Sequence, residues 1–501
     1  MNIICKTTLT ALLAAALAAC RPGVPSDAVA SDEPPVISPD YTGIDIPCNI
    51  APMTFAIEAE GTDYLTHFHT AADPAGFVAT GRVPGIDAGD WHSLVGGAAG
   101  DTLLIDIYVR PADGKPYTRY ATVRNAICDS IDRYISYRLI EPSYISFETM
   151  AICQRDLTGF DEREIYNSMS MSEEDQGQCI NCHSYQDYNR GGNMQLHVRV
   201  GHGGTVVACD GALKKVNLKT PGTISSGVYP CWHPTLPLIA YSVNTTTQSF
   251  HSRDTAKVEV QDSRSDLILY DALTDVVTPV AMERDRLETF PYWHPDGRSL
   301  WYVSAEVPPM DDEAMSEYQN EHYRDFRYDL YRRSFDPETR RFGEPDTIFL
   351  ASEYERSVTL PRPSPDGRYV VFTMGGFGTF HIWHHDSDLY MLDTADGTIR
   401  PLDEINSGDT ESYHSWSSDG RWMIFSSRRD DGSYTRLYLT NFGPDGRFSK
   451  PFRLPQKDPG HDGRRLKSYN IPEFMACPVQ LTRRELLRVI GSDATTATFR
   501  P

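Results

Sequence analysis

The chain has 501 residues, 40% hydrophobic and 23% charged, with a formal net charge of −22. The length gives room for two or three domains, and the composition is that of folded globular protein. The acidic surplus and the lack of a long basic run exclude a nucleic-acid partner held by phosphate neutralisation.

Residues 1–19 open with one charge, Lys6, followed by an apolar run from Leu9 to Ala19. That run is too short to span a bilayer and reads as an export signal. The junction "LAAC" resembles the lipobox of bacterial lipoproteins, with small residues Ala18 and Ala19 ahead of Cys20, which would carry the lipid. Residues 20–44, rich in Pro, Ser and acidic side chains, read as a flexible tether. The expectation is a chain lipid-anchored in the bacterial envelope. The outer membrane, facing the periplasm, is favoured because Arg21 rather than an aspartate follows Cys20. In that compartment cysteines pair, and Cys209 and Cys231, each in a strand-like run, are the nearest candidates.

Residues 45–140 carry short strand patterns, "MTFAIEAEG", "GFVATGRVP", "DTLLIDIYVR" and "TRYATVRNAI", separated by turn signals. They predict a small immunoglobulin-like β-sandwich. His67 and His69 fall on one face of a strand, where an exposed pair reads as incidental rather than as a metal site.

Residues 141–202 read as a connecting segment carrying "CINCH", that is Cys179, Cys182 and His183. Covalent haem c needs two thiols spaced for the two vinyl groups and a following His as proximal iron ligand. Export favours this reading, since bacterial haem attachment takes place outside the cytoplasm. A zinc site, a thioredoxin-type redox pair and a simple disulfide compete with it. Met194, His197 and His202 are the candidate distal ligands. A six-coordinate haem would suit electron transfer, and an open one would bind small ligands.

Residues 203–480 are repetitive. "YPCWHPTLPLIAYSV" from Tyr229, "FPYWHPDGRSLWYVS" from Phe290, "LPRPSPDGRYVVFTM" from Leu360 and "YHSWSSDGRWMIFSS" from Tyr413 align. Asp-Gly between apolar runs marks a tight hairpin, and each copy is followed by a second strand pattern such as "DLYRRS" or "DLYMLD". Short strands repeating at this period predict a β-propeller of five or six blades. Half-blades "GTVVACDGALKKVNLKT" and "SYNIPEFMACPVQL" flank the copies and would close the ring. The insert "EVPPMDDEAMSEYQNEHYRDFR" reads as a loop or short helix. The cluster His381, His384, His385 and Asp386 lies in a connection and reads as structural or solvated. Residues 481–501 form a C-terminal tail with one short helix, and no G-x-S-x-G nucleophile elbow is present.

The W-x-P-D-G-R copies resemble the PD40, WD40-like repeats of TolB-type propellers. The order of parts also resembles a group of bacterial lipoproteins with one haem-c motif ahead of such a propeller. "QRDLTGF", "ISSGVYPCWHP", "PRPSPDGRYVVFT" and "IWHHDSDLY" carry that likeness. It implies a cytochrome-c-related protein with one covalent haem c, passing electrons to a redox partner or envelope protein docked on the propeller. Against it stands a non-redox binding or scaffold protein in which the cysteine pair is structural or binds zinc. An enzyme using the haem or a metal is the weakest reading.

Overall fold

The computed structural model describes residues 23–141, 149–171, 177–253 and 258–501; the expected export signal and lipidated Cys20 lie outside these residues. The chain forms two compact units, Met1–Ser130 with Pro455–His461, and Ile131–Leu454 with Asp462–Pro501. Among the described residues no helix is long and apolar enough to cross a membrane.

The first unit is built on one seven-stranded sheet. Asp63–His69 lies between Phe77–Thr80 and Thr102–Arg110, and Val123–Cys128 continues beyond the latter. Two short strands join in parallel: Asp45–Pro47 on Val123–Cys128, and Val29–Ala30 on Thr118–Arg119. A helix, Ala88–Val95, starts where the Asp87 carboxylate accepts from the backbone N–H of Gly89 and Asp90, supplying orphan helix donors with a partner. It buries Trp91, whose ring meets Phe68 edge-on at 6.1 Å and whose Nε1 donates to the Ile50 carbonyl.

This is a departure from the expected immunoglobulin-like sandwich. A helix, rather than a second large sheet, packs against Phe68, and two short parallel pairings are added to an otherwise antiparallel sheet, whereas such a sandwich sets two antiparallel sheets face to face. The expected tether also fails over much of its length. Ile37–Ser38 pairs with Ala56–Ile57, and Ile37, Tyr41 and Ile44 are buried. Three spaced apolar residues suffice to dock a Pro- and Ser-rich stretch.

Among the described residues the second unit contains six blades, each with four antiparallel strands, two of them extended by a fifth, parallel strand. The inner strands of the first five are Cys179–Tyr185, Val228–Trp232, Arg286–Trp293, Ser357–Pro363 and Glu411–Trp416. The sixth blade joins the two ends of the unit: inner strand Ser468–Met475 pairs with Tyr134–Ile140, which carries Ala151–Asp156 and Glu162–Asn167 outward. Closure of this kind removes open edges from the ring.

The propeller therefore begins near Tyr134, not at residue 203. Residues 141–202 are no connector, because they include outer strands of the sixth blade and the inner strand of the first. "GTVVACDGALKKVNLKT" supplies the outer strands Gly204–Cys209 and Ala212–Asn217 of that first blade, while the closing partner of "SYNIPEFM" is "YISYRLI". Cys209 and Cys231 are buried free thiols in successive blades rather than a disulfide.

The three Asp-Gly-Arg copies make hairpin turns. Gly297, Gly367 and Gly420 sit at positive φ, and Asp296, Asp366 and Asp419 accept from the backbone N–H two residues on, a local bond that preforms the turn. In the second blade, which lacks the motif, the His233 Nδ1 accepts from the N–H groups of Thr235 and Leu236. The long insert holds a helix, Asp312–His322, capped by Asp311. After the sixth blade a helix, Arg483–Ile490, opens with a capping box between Thr482 and Glu485. The chain then adds Thr495–Thr496 in parallel to the first blade's outer strand and Thr498–Phe499 to the second's.

Candidate functional site in the propeller channel

Six inner strands share one irregularity. Cys182 (φ 51°), Tyr229 (49°), Phe290 (51°), Leu360 (53°), Tyr413 (45°) and Ile471 (50°) all adopt left-handed backbone, and at each the register with the second strand shifts. A non-glycine residue there costs about 1–2 kcal/mol, so six repeats mark a bulge held in place by the surrounding sheets. The next residues are His183, Pro230, Pro291, Pro361, His414 and Pro472. Proline suits this place because it has no N–H for the broken ladder to leave unpaired. C-x-x-C-H is thus the first blade's version of an aromatic-Pro or Tyr-His bulge.

The bulge residues surround a narrow space of about 40 Å³. On the other side the channel widens to about 290 Å³, walled by Tyr185, Tyr188, Trp232, Trp293 and Trp416 with Arg190. Arg362 lines the narrow space, and Glu473 and Tyr292 line both. Arg362 donates to Glu473 through both terminal nitrogens, 2.7 and 3.0 Å, with its guanidinium 4.9 Å from the Tyr292 ring centre. Burial opposes the Arg362 charge, but Glu473 and Tyr292 outweigh it and hold the guanidinium protonated more firmly than usual.

The residues read as a haem site are separated by this framework. Cys179 packs against the cluster of Ile180 and Leu196, its sulfur accepts from Asn181 at 3.2 Å, and burial pushes its thiol up. Cys182 faces the narrow space. His183 is buried with neither ring nitrogen in a well-formed hydrogen bond. Burial, then Arg138 and Arg362, push it down to about 3, with only partial support from the Ser136 backbone. Its counterpart His414 is likewise held at about 3 by burial and Arg362, and its Nε2 donates to the Val371 carbonyl at 2.9 Å. Both imidazoles thus face the second strand of the preceding blade.

Of the candidate distal ligands, Met194 lies in the apolar core. His197 is buried beside the Thr205 hydroxyl at 3.0 Å, and burial holds it at about 3. His202 occupies a turn at φ 58°. None of the three lines either channel space.

A haem held by both thiols and His183 needs one cavity shared by all three, on the scale of roughly 300 Å³ or more for a cofactor-sized ligand. The narrow space is about 40 Å³, and the His183 ring is enclosed against the sixth blade. The residues in this fold do not fit the group. Zinc fits no better: among the described residues no metal-sized cluster of ligand atoms includes Cys179 or Cys182.

In the histidine-rich connection His381 and His384 stay together, ring centres 5.4 Å apart, but each side chain has its own protein partner. His384 Nε2 meets Glu259 at 2.8 Å with both side chains buried, His381 bonds the Thr359 hydroxyl, and the half-exposed His385 pairs with Asp409. The recurring bulge escaped the sequence reading at its first and last copies because Cys-His and Ile-Pro lack the aromatic that aligns three of the others. The available signal was the spacing: two residues beyond the bulge residue's neighbour stand Tyr185 and Phe474, where Trp232, Trp293 and Trp416 stand in other blades.

No family model matches the chain, and no curated protein does. Among solved structures it is similar to TolB from Acinetobacter baumannii, at 13% identity and a TM-score of 0.40, over 77% of this chain and 85% of that one. It is also similar to an oligogalacturonate lyase from Vibrio parahaemolyticus, at 14% identity and a TM-score of 0.32, over 78% of this chain and 100% of that one. A third is the β-propeller domain of the Trilobed protease from Pyrococcus furiosus, at 14% identity and a TM-score of 0.32, over 72% and 91%. The six blade sheets, independent of these likenesses, make the chain a mainly β protein with a six-bladed β-propeller.

Proposed function

We propose that this chain is an envelope lipoprotein whose propeller is a non-redox binding module, with a partner seated at the wide mouth of the channel. One observation carries the reading. The open, aromatic end of about 290 Å³ lies on the far side of Arg362 and Glu473 from Cys182, whereas the C-x-x-C-H side is a packed inner strand. Aromatic side chains beside a few charges are what protein-binding surfaces use for anchoring. Retention in the envelope rests on the Leu9–Ala19 run and "LAAC" with lipidation at Cys20.

Electron transfer through a haem c on Cys179, Cys182 and His183 is the competing reading, supported by the intact motif order, the expected export and the resemblance to haem-c lipoproteins. It requires the first blade's inner strand to leave the sheet. A pyridine haemochrome spectrum of chain exported beside a working haem-attachment system tests both. The binding reading expects no covalent haem band; a band lost in Cys179→Ala/Cys182→Ala would overturn it. Photocrosslinkers at Asp187 and Arg190, in the mouth wall, are expected to trap a partner in cells that the same probe at Asp396, on an outer turn of the fourth blade, does not.

A further inference from the structure

We propose that His67, His69 and Asp106 in the first unit form a binding site for a divalent cation of the zinc class. His67 and His69 alternate on one strand and so present their rings to the same face of the sheet. Asp106, on the neighbouring strand Thr102–Arg110, stands directly opposite His67 in register. One ring nitrogen from each histidine and a carboxylate oxygen lie within 4.8 Å of one another. His67 and Asp106 are buried and His69 is partly exposed, so the cluster is enclosed on one side and reachable on the other. The pair is therefore not the exposed, incidental one its spacing alone suggests.

The surroundings orient the donors. His67 Nε2 lies 2.9 Å from the Ala75 carbonyl, which only accepts; the proton is on Nε2 and the Nδ1 lone pair is available. A metal-ligating histidine typically donates its other N–H in this way. Asp106 uses one oxygen, Oδ1, to accept from the Thr122 hydroxyl at 2.6 Å and from Arg119 at 2.9 Å. The other, Oδ2, faces His69 Nε2 at 3.1 Å. The two imidazole rings stack at 4.3 Å and 14°.

Two neutral imidazoles and one carboxylate are the donor set of zinc, cobalt or nickel rather than of calcium or magnesium, which prefer oxygen alone. Three protein ligands leave a coordination position for water or an incoming group. The Arg119 charge lies on the opposite oxygen, where it fixes the carboxylate plane.

The full chain, stripped with chelator, is titrated calorimetrically with zinc chloride, and the cobalt-loaded protein is examined by absorption. One equivalent is expected, with cobalt bands of a nitrogen–oxygen site and no thiolate charge-transfer band. His69→Ala, at the partly exposed ligand, is expected to abolish binding. Thr122→Val, which keeps all three ligands, is expected to weaken it about 10–100-fold. Lack of stoichiometric binding would overturn the assignment, as would affinity unchanged in His69→Ala or a thiolate band lost in Cys179→Ala/Cys182→Ala.

Discussion

Arg362 and Glu473 pair across the propeller channel at 2.7 and 3.0 Å although the fifth blade stands between their own. Their side chains are only 10% and 18% exposed, so removing one partner strands the other's charge in a poorly solvated place. Glu473→Gln is expected to destabilise the chain by about 3 kcal/mol, read as a lower denaturant midpoint at unchanged slope. The double change Arg362→Met/Glu473→Leu should recover much of that loss. Equal stability of the single and double variants would show the pair to be solvated.

His414 supplies a pH dependence. An imidazole in unfolded chain titrates near 6.5, whereas His414 is held at about 3 by burial and Arg362. Between those values the unfolded chain binds a proton that the folded chain refuses. The contribution is full above about pH 6.5 and declines as pH falls, by about 1.4 kcal/mol per pH unit. Denaturation of His414→Gln between pH 6.5 and 4 should show a slope shallower than the parent's by that amount. Identical slopes would place a charged imidazole in the folded protein.

Gly367 and Gly397 separate two costs that usually come together. Both sit at positive φ, 74° and 77°. A Cβ on Gly397 meets nothing within 4 Å, while one on Gly367 would stand 2.6 Å from the His294 ring, whose Nε2 donates to the Gly367 carbonyl. Gly397→Ala should cost about 1–2 kcal/mol for backbone strain alone. Gly367→Ala should cost clearly more, because it pushes apart the third and fourth blades. Thermal midpoints of the two variants compare these directly.

The last residues protect two blade edges, since Thr495–Thr496 and Thr498–Phe499 pair with the outer strands of the first and second blades. Phe499 also lies over Gly222. Truncation after Gly491 should leave a folded propeller with two bare edges, and bare edges seek other strands. Sedimentation velocity is expected to show concentration-dependent association absent from the full chain.

Much of the propeller was legible because Trp293 and Trp416 with Asp-Gly-Arg repeat a chemistry that only a hairpin needs. The first and sixth blades were not legible. "CINCH" matches a chemical motif strongly enough to hide that Cys182-His183 stands where Tyr413-His414 stands. "YISYRLI" finds its partner beyond the other five blades, a pairing no local pattern reports. The first unit was read as strands correctly at Phe77–Thr80, Thr102–Arg110 and Val123–Cys128, whereas "MTFAIEAEG" forms a strand only at Ala56–Ile57, and the helix around Trp91 has only two turns and too short a period to declare itself. His67 and His69 were visible as a pair; their third member, Asp106, is brought in by register alone.

Closure of the sixth blade has a temporal consequence. Arg138 bonds Asn470 across 332 residues of sequence, so the strand made early waits for one made near the end. At typical synthesis rates of 5–20 residues per second the interval is on the order of 20–60 s. Throughout it the ring stays open and the nascent chain lacks its final cooperative lock. Under the proposed export through the Leu9–Ala19 run, that delay is an advantage, because threading through a membrane pore demands an unfolded substrate.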